Sequence, residues 1–278
     1  LVLLSPFVGF VILAIINHKL FKMKKSILIL FIACNLSFSQ YAVVDFFVIK
    51  DGMESQYLSV EKVWKNYHQS SVDKGEKNEW TLWKRSPRDG DNEMVPDYVT
   101  FNTFNTKEEM DNYINDTNIV NSVKLSNKGK LSSRHMNKVL SLNPVNAHRR
   151  YCVQLIDATP LTGGDPKIGD KMEGDGMIQK QDDYENFESY VYKPIFLDEV
   201  MKGNIRWWAL TKIIDRSDSA YEDVTHFTWR IRVDGKKMSP NHTKLFGNEF
   251  VSKKMRELTR ASRDIRGGGT FTMIDKTL

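Results

Sequence analysis

The sequence predicts an α+β protein built from two tandem copies of one strand–helix–strand–strand unit, preceded by a leader. Three observations carry this. Residues Tyr41–Phe104 read in order as an apolar strand, an amphipathic helix and two further strands. A looser copy of that order follows between Tyr151 and Ile231. Ahead of both, the stretch from Met23 to Gln40 has the composition of a secretory signal.

In the first copy, Tyr41–Lys50 is rich in Val, Phe and Ile and ends at the turn pair Asp51-Gly52. Tyr57, Val60, Val63, Trp64 and Tyr67 recur at helical spacing from Glu54 to Lys74, and Gly75 stops that helix. Glu79–Ser86 and Tyr98–Phe104 are strands either side of a polar loop. Thr106-Lys107-Glu108-Glu109 has the form of a capping box. Met136–Leu142 is the expected closing strand of this copy. In the second copy, Arg150–Ala158, Trp207–Ile214 and Asp223–Arg232 are the expected strands, and Thr270–Ile274 closes the unit. Asp182–Lys202 is helical in pattern, Pro194 is expected to kink or split it, and Gly203 stops it. Asn248–Ile265 is a last helix, ended by Gly267-Gly268-Gly269. The order β-α-β-β-α-β is the ferredoxin-like plan, whose sheet carries helices on one face only. The other face needs a partner.

Three local echoes support a repeat. Trp64-Lys65 answers Tyr192-Lys193, Gly75 before Trp80 answers Gly203 before Trp208, and Val99-Thr100 with Thr103-Phe104 answers Val224-Thr225 with Thr228-Trp229. The expected organisation is a leader over 1–39, a first unit over 40–145 and a second over 146–278. The Gly-, Asp- and Lys-rich stretch 159–181 reads as an exposed loop insertion.

Within the leader, residues 23–39 read as the signal itself, with cleavage expected before Gln40. Residues 1–22 read as upstream read-through. The competing expectations are a lipoprotein acylated at Cys34 and a membrane anchor through residues 1–16. The only cysteine outside the leader, Cys152, sits in an apolar strand and reads as a small buried hydrophobe. Export without disulfides suits the periplasm or exterior of a bacterium. The formal charge of +5 comes largely from Lys19, Lys22, Lys24 and Lys25; without them 36 basic residues face 35 acidic ones. Nucleic acid is therefore not an expected partner, and no stable membrane span is expected once the leader is gone. Self-association stays open.

The residues W-K-x-x-H-Q (Trp64–Gln69), G-x4-W (Gly75–Trp80) and D-Y-V-T-F-N (Asp97–Asn102) resemble the dimeric α/β-barrel superfamily. Within it they are most similar to antibiotic-biosynthesis-monooxygenase-like proteins and their exported bacterial relatives. The resemblance covers Tyr41–Phe104 well and Asp182–Trp229 loosely. It implies two ferredoxin-like units packed sheet to sheet around a small-molecule pocket, here from one chain. It also brings cofactor-free oxygenases and haem-handling proteins into view, although no branch-specific motif assigns a catalytic role.

Candidate chemistry is sparse. His226, in the middle of a strand, is a base or ligand if its face looks into the barrel. Asp45 interrupts an apolar strand, where burial would raise its pKa and suit it to proton transfer. His68, one turn after Trp64, is a haem ligand or proton acceptor if it reaches a pocket, and otherwise a packed helix-edge histidine. Asn102, Trp83 and Trp229 are the expected ligand-binding residues. Asp165, Asp170 and Asp175 lack the alternate-residue spacing of a calcium loop, and no zinc, phosphate-loop or nucleophile-elbow pattern is present, so no metal is expected. The leading expectation is an exported protein that binds a small apolar or aromatic molecule without a cofactor. The alternatives are a cofactor-free or haem-handling monooxygenase-like enzyme, and a structural barrel without a ligand.

Overall fold

The computed structural model describes residues 40–240 and 242–278; the expected leader, with Cys34, lies outside the described residues. Eight strands form a closed antiparallel barrel in the order β1-β3-β2-β8-β5-β7-β6-β4. The first four are β1 (Tyr41–Ile49), β2 (Glu79–Arg85), β3 (Tyr98–Phe104) and β4 (Val145–Ala158). The second four are β5 (Lys171–Gln179), β6 (Ile205–Arg216), β7 (His226–Arg232) and β8 (Arg263–Lys276). The ring is two ferredoxin-like sheets, β4-β1-β3-β2 and β8-β5-β7-β6, zipped along two seams, β2 to β8 and β6 to β4. None of the described helices is long and apolar enough to cross a membrane.

Local chemistry sets the element ends. Helix α1 (Glu54–Asp73) gives way to Gly75 at φ +73°, and Gly203 takes φ +71° after the corresponding helix of the second unit. Helix α2 (Lys107–Ile114) begins with the expected capping box: Thr106 Oγ1 accepts from Glu109 N–H at 3.2 Å, and Glu109 Oε2 accepts from Thr106 N–H at 3.1 Å. Two short helices follow, α3 (Ile119–Ser126) and α4 (Ser133–Leu140). In the second unit α5 (Tyr184–Phe187) runs through a π-helical turn at Glu188–Tyr192 into α6 (Lys193–Met201). The break falls just ahead of Pro194, where the missing N–H and the ring forbid a continuous ladder. A short α7 (His242–Phe246) precedes α8 (Glu249–Ser262), which is capped by Asn248 Oδ1 accepting from Val251 N–H at 2.9 Å.

Four expectations differ from the structure. Met136–Leu142 belongs mainly to α4, not to a strand, because Ser132 Oγ caps the helix by accepting from His135 N–H and Met136 and Val139 share its buried face. The fourth strand of the first unit is β4, which pairs with β1 over Val145–Gln154 and with β6 over Tyr151–Ala158. Arg150–Ala158 therefore closes the first unit, and the expected boundary at 145/146 falls at the start of this strand. The stretch 159–181, expected as a loop, contains β5, the true first strand of the second unit. Finally, Gly267-Gly268-Gly269 lies inside β8 and does not terminate α8.

The repeat shows in the packing. His68 stacks on Trp80 at 5.0 Å, and Phe196 stacks on Trp208 at 5.2 Å, each ring reaching from its helix to the outer face of its sheet. The third echo is out of step: Val99-Thr100 and Thr103-Phe104 all lie within β3, whereas Thr228-Trp229 lie within β7 and Val224-Thr225 precede it.

Alternation divides each strand between two cores. Ala42, Val44 and Phe46 of β1 point into the barrel with Trp83, Val99, Tyr151, Phe227, Trp229 and Phe271. Val43 and Phe47 point the other way, under the helices. The barrel interior is crowded with rings, and glycine makes room for them. Gly174 sits opposite Gly269 and Gly176 opposite Gly267, and a Cβ on Gly174 would lie 2.4 Å from Cζ3 of Trp229. At Gly267 a Cβ would meet nothing within 4 Å. Gly174→Ala is therefore expected to destabilise by about 1–3 kcal/mol, as overpacked cores do, while Gly267→Ala stays near wild type. Paired thermal melts check this, and equal melting temperatures for the two variants would contradict it.

Candidate functional site

At one end the barrel interior opens as a cleft of about 350 Å³. Its floor is a group of rings: Phe46, Tyr151, Phe227 and Trp229, with neighbouring centroids between 5.0 and 5.9 Å apart. One wall carries no side chains at all, being the glycines of β5 and β8. Two loops rim the mouth, the β2–β3 loop with Asp91, Asn92, Met94, Val95 and Pro96, and the β6–β7 loop with Tyr221 and Val224. Deeper in the barrel Trp83, Val99, Val153, Met172 and Met273 fill the space.

Three arginines reach this cleft. Arg85 forms a two-pronged ion pair with Asp91, whose carboxyl is held down to about 2 by the Arg85 guanidinium and the Arg88 N–H. Arg266 pairs with Asp223 at 3.1 Å. Arg149 is almost fully buried, donates to the Met94 carbonyl oxygen at 3.1 Å and lies over the Tyr221 ring at 4.7 Å. Arg266 lies over the same ring, also at 4.7 Å, so Tyr221 has cation–π contact with two guanidinium groups. Tyr151, on the floor, accepts at its hydroxyl from Tyr221 N–H at 3.0 Å, and burial pushes its phenol above the usual range.

Of the expected site residues, Trp229 lines the cleft and Trp83 lies in the core beneath it. The others sit on the opposite face of the sheet, under the helices. His226 is directed away from the barrel interior: its Nε2 lies 3.2 Å from Glu185 Oε1 and its ring is edge-on to Tyr184 of α5. Burial holds it below the usual histidine range, with Glu185 opposing that. Asn102 accepts at Oδ1 from Lys77 Nζ at 2.8 Å, and Lys77 Nζ is 3.0 Å from His68 Nδ1. Burial and the nearby Lys77 hold His68 well below its normal pKa, and burial brings Lys77 down to about 7. Asp45 is buried between β4 side chains, 2.6 Å from His148 Nε2 and 2.8 Å from Arg150 Nε. Burial alone would raise its carboxyl, but His148 and Arg150 outweigh that and hold it below the usual value. Asp45 is thus a structural anion, not a raised base, and Asp45, Asn102 and His226 do not converge. Cys152 is buried with Val43, Phe104 and Met110, which pushes its thiol up to about 11. Asp170 and Asp175 are engaged by Arg206 and Arg230, respectively.

Haem is held through His, Cys, Met or Tyr. Among the described residues no histidine or cysteine lines the cleft, Met94 is on an exposed loop, and the raised Tyr151 phenol resists the ligating phenolate form. The lining does not suit haem.

No family model matches the sequence, and no curated protein matches it. Solved structures do match the fold. An anthrone oxidase-like protein superposes with a TM-score of 0.51 at 11% identity, over 87% of this chain and 94% of that one. A candidate monooxygenase from Lactobacillus acidophilus gives 0.47 at 12% identity, over 86% and 96%. A haem-binding protein from Thermus thermophilus gives 0.42 at 8%, over 85% and 92%. The chain has the dimeric α/β-barrel fold, with both ferredoxin-like halves in one polypeptide. At these identities the likeness concerns the fold alone.

The outer-face cluster has a pH consequence. Burial pushes Glu61 of α1 up to about 7, and the Asp45 charge adds to the shift. Below pH 4.5 the folded and unfolded chains both hold this proton; between 4.5 and 7 only the folded chain does, so rising pH costs stability. Glu61→Gln is expected to stabilise by up to about 3 kcal/mol at pH 8 and by nothing at about pH 4. Urea melts at the two pH values check this, and a pH-independent difference would refute it.

Proposed function

We propose that this is an exported protein that binds one flat aromatic or apolar molecule in the barrel end. The observation that carries the reading is the cleft: about 350 Å³, floored by four rings and walled on one side by glycine backbone. That volume falls within the range of small-molecule sites, and an apolar lining with few polar groups is their usual make-up. Export rests on residues 23–39 of the sequence.

Binding is favoured over catalysis by the titratable groups in the lining. Asp91 is locked to Arg85 and is a weak base at about 2. Tyr151 is a weak acid, and the histidines expected to act lie under the helices. Among the described residues of the lining, the shifts of Asp91 and Tyr151 both run away from neutral pH.

Quenching of intrinsic tryptophan fluorescence by 2-naphthamide and 2-naphthoate tests the reading, because Trp229 lines the cleft. At least one probe is expected to saturate with a 1:1 stoichiometry. Gly267→Trp, at a cleft-lining position where an added Cβ meets nothing within 4 Å, is expected to abolish that binding without lowering the melting temperature. Failure of both probes to saturate, or unchanged binding in Gly267→Trp, would overturn it.

A further inference from the structure

We infer that Arg149 reads an anionic group on the ligand, making the ligand class a flat aromatic carboxylate; this rests on the cleft being the binding site. Arg149 sits on β4 directly opposite Phe46 of β1, so its side chain enters the barrel end beside the ring floor. The residue is 5% exposed. Arg85 and Arg266, the other two arginines of the lining, each have a carboxylate partner, Asp91 and Asp223. Among the described residues Arg149 has no ion pair; its one protein acceptor is the Met94 carbonyl oxygen.

A guanidinium carries five N–H donors in a rigid plane. Burying such a cation without a counter-charge is costly, and proteins normally pair it. Here one donor is used, and the guanidinium lies over the Tyr221 ring, as does that of Arg266. The remaining donors belong to a side chain that lines the cleft, where the other two arginines are already engaged by Asp91 and Asp223. A planar fork pre-set in this way matches a carboxylate, which accepts two parallel N–H bonds. The aromatic body of such a ligand would lie on Phe46, Phe227 and Trp229, with its carboxylate at Arg149. Arg85 and Arg266 are balanced by Asp91 and Asp223, which leaves Arg149 as the uncompensated cation among the described residues of the lining.

The isosteric probes 2-naphthoate and 2-naphthamide separate charge from shape. The wild-type chain is expected to bind the naphthoate at least about tenfold more tightly, as charge-assisted hydrogen bonds predict. Arg149→Met is expected to lose about 10- to 100-fold in naphthoate affinity and to leave naphthamide within a few-fold. Arg149→Lys should restore part of the loss, since it keeps the charge without the fork. If neither probe binds, the cleft reading itself fails. If wild type binds both equally, or Arg149→Met weakens both alike, the anion inference fails while the cleft reading stands. Where Arg149→Met does not fold, the wild-type preference decides alone, and equal affinities overturn the inference.

Discussion

The bare face of a ferredoxin-like sheet is the constraint on which everything else in this protein depends. Helices cover one side of each sheet, and alternation along the strands leaves an equally apolar second side. Exposed, such a face would be an association surface. Here each half covers the other, and the β2–β8 and β6–β4 seams leave no free strand edge. The two faces bring large rings together in a narrow barrel. Glycines opposite one another on β5 and β8 relieve the crowding, and the space they open at one end is the cleft.

Polar groups beneath the helices have a different role. Asp45 with His148 and Arg150, Lys77 with Asn102 and His68, and His226 with Glu185 are buried or half-buried sets whose members bond to one another. They tie strands to neighbouring strands and to α1 and α5. His68 occupies the position that Phe196 holds in the second half, stacked on the equivalent tryptophan, so the first half tolerates a histidine there because Lys77 gives it a hydrogen-bond partner.

Much of the fold was legible because it rests on local chemistry. Gly75, Gly203, Pro194 and the Thr106 capping box mark element ends by mechanisms acting over a few residues. Strand β5 was not legible, since Gly174 and Gly176 read as loop residues when their reason for being glycine, Trp229 and Phe227, lies elsewhere in the chain. The site suffered for the same reason. His226 and Trp229 lie three residues apart on one strand, so their side chains leave opposite faces, and which face is interior depends on the barrel closing. Arg149 gave no signal in the sequence beside Arg150; their neighbouring positions send one into the cleft and the other to Asp45. The glycine triplet at 267–269 was the one available clue, and its place in a strand became clear only from its pairing with β5.

The cleft follows from closure, because its lining comes from β1, β2 and β4 of one half and β5, β7 and β8 of the other. The most direct measurement is an engineered cross-link over the β2–β8 seam, with cysteines at Lys84 and Thr272, which are register partners, in a chain carrying Cys34→Ser and Cys152→Ala. Under dilute oxidising conditions the disulfide should form within a monomer, seen as an intact-mass loss of two hydrogens with no covalent dimer. Disulfide-linked dimers alone, or no cross-link in a chain that is otherwise folded, would show that the two sheets do not close on each other in a single polypeptide.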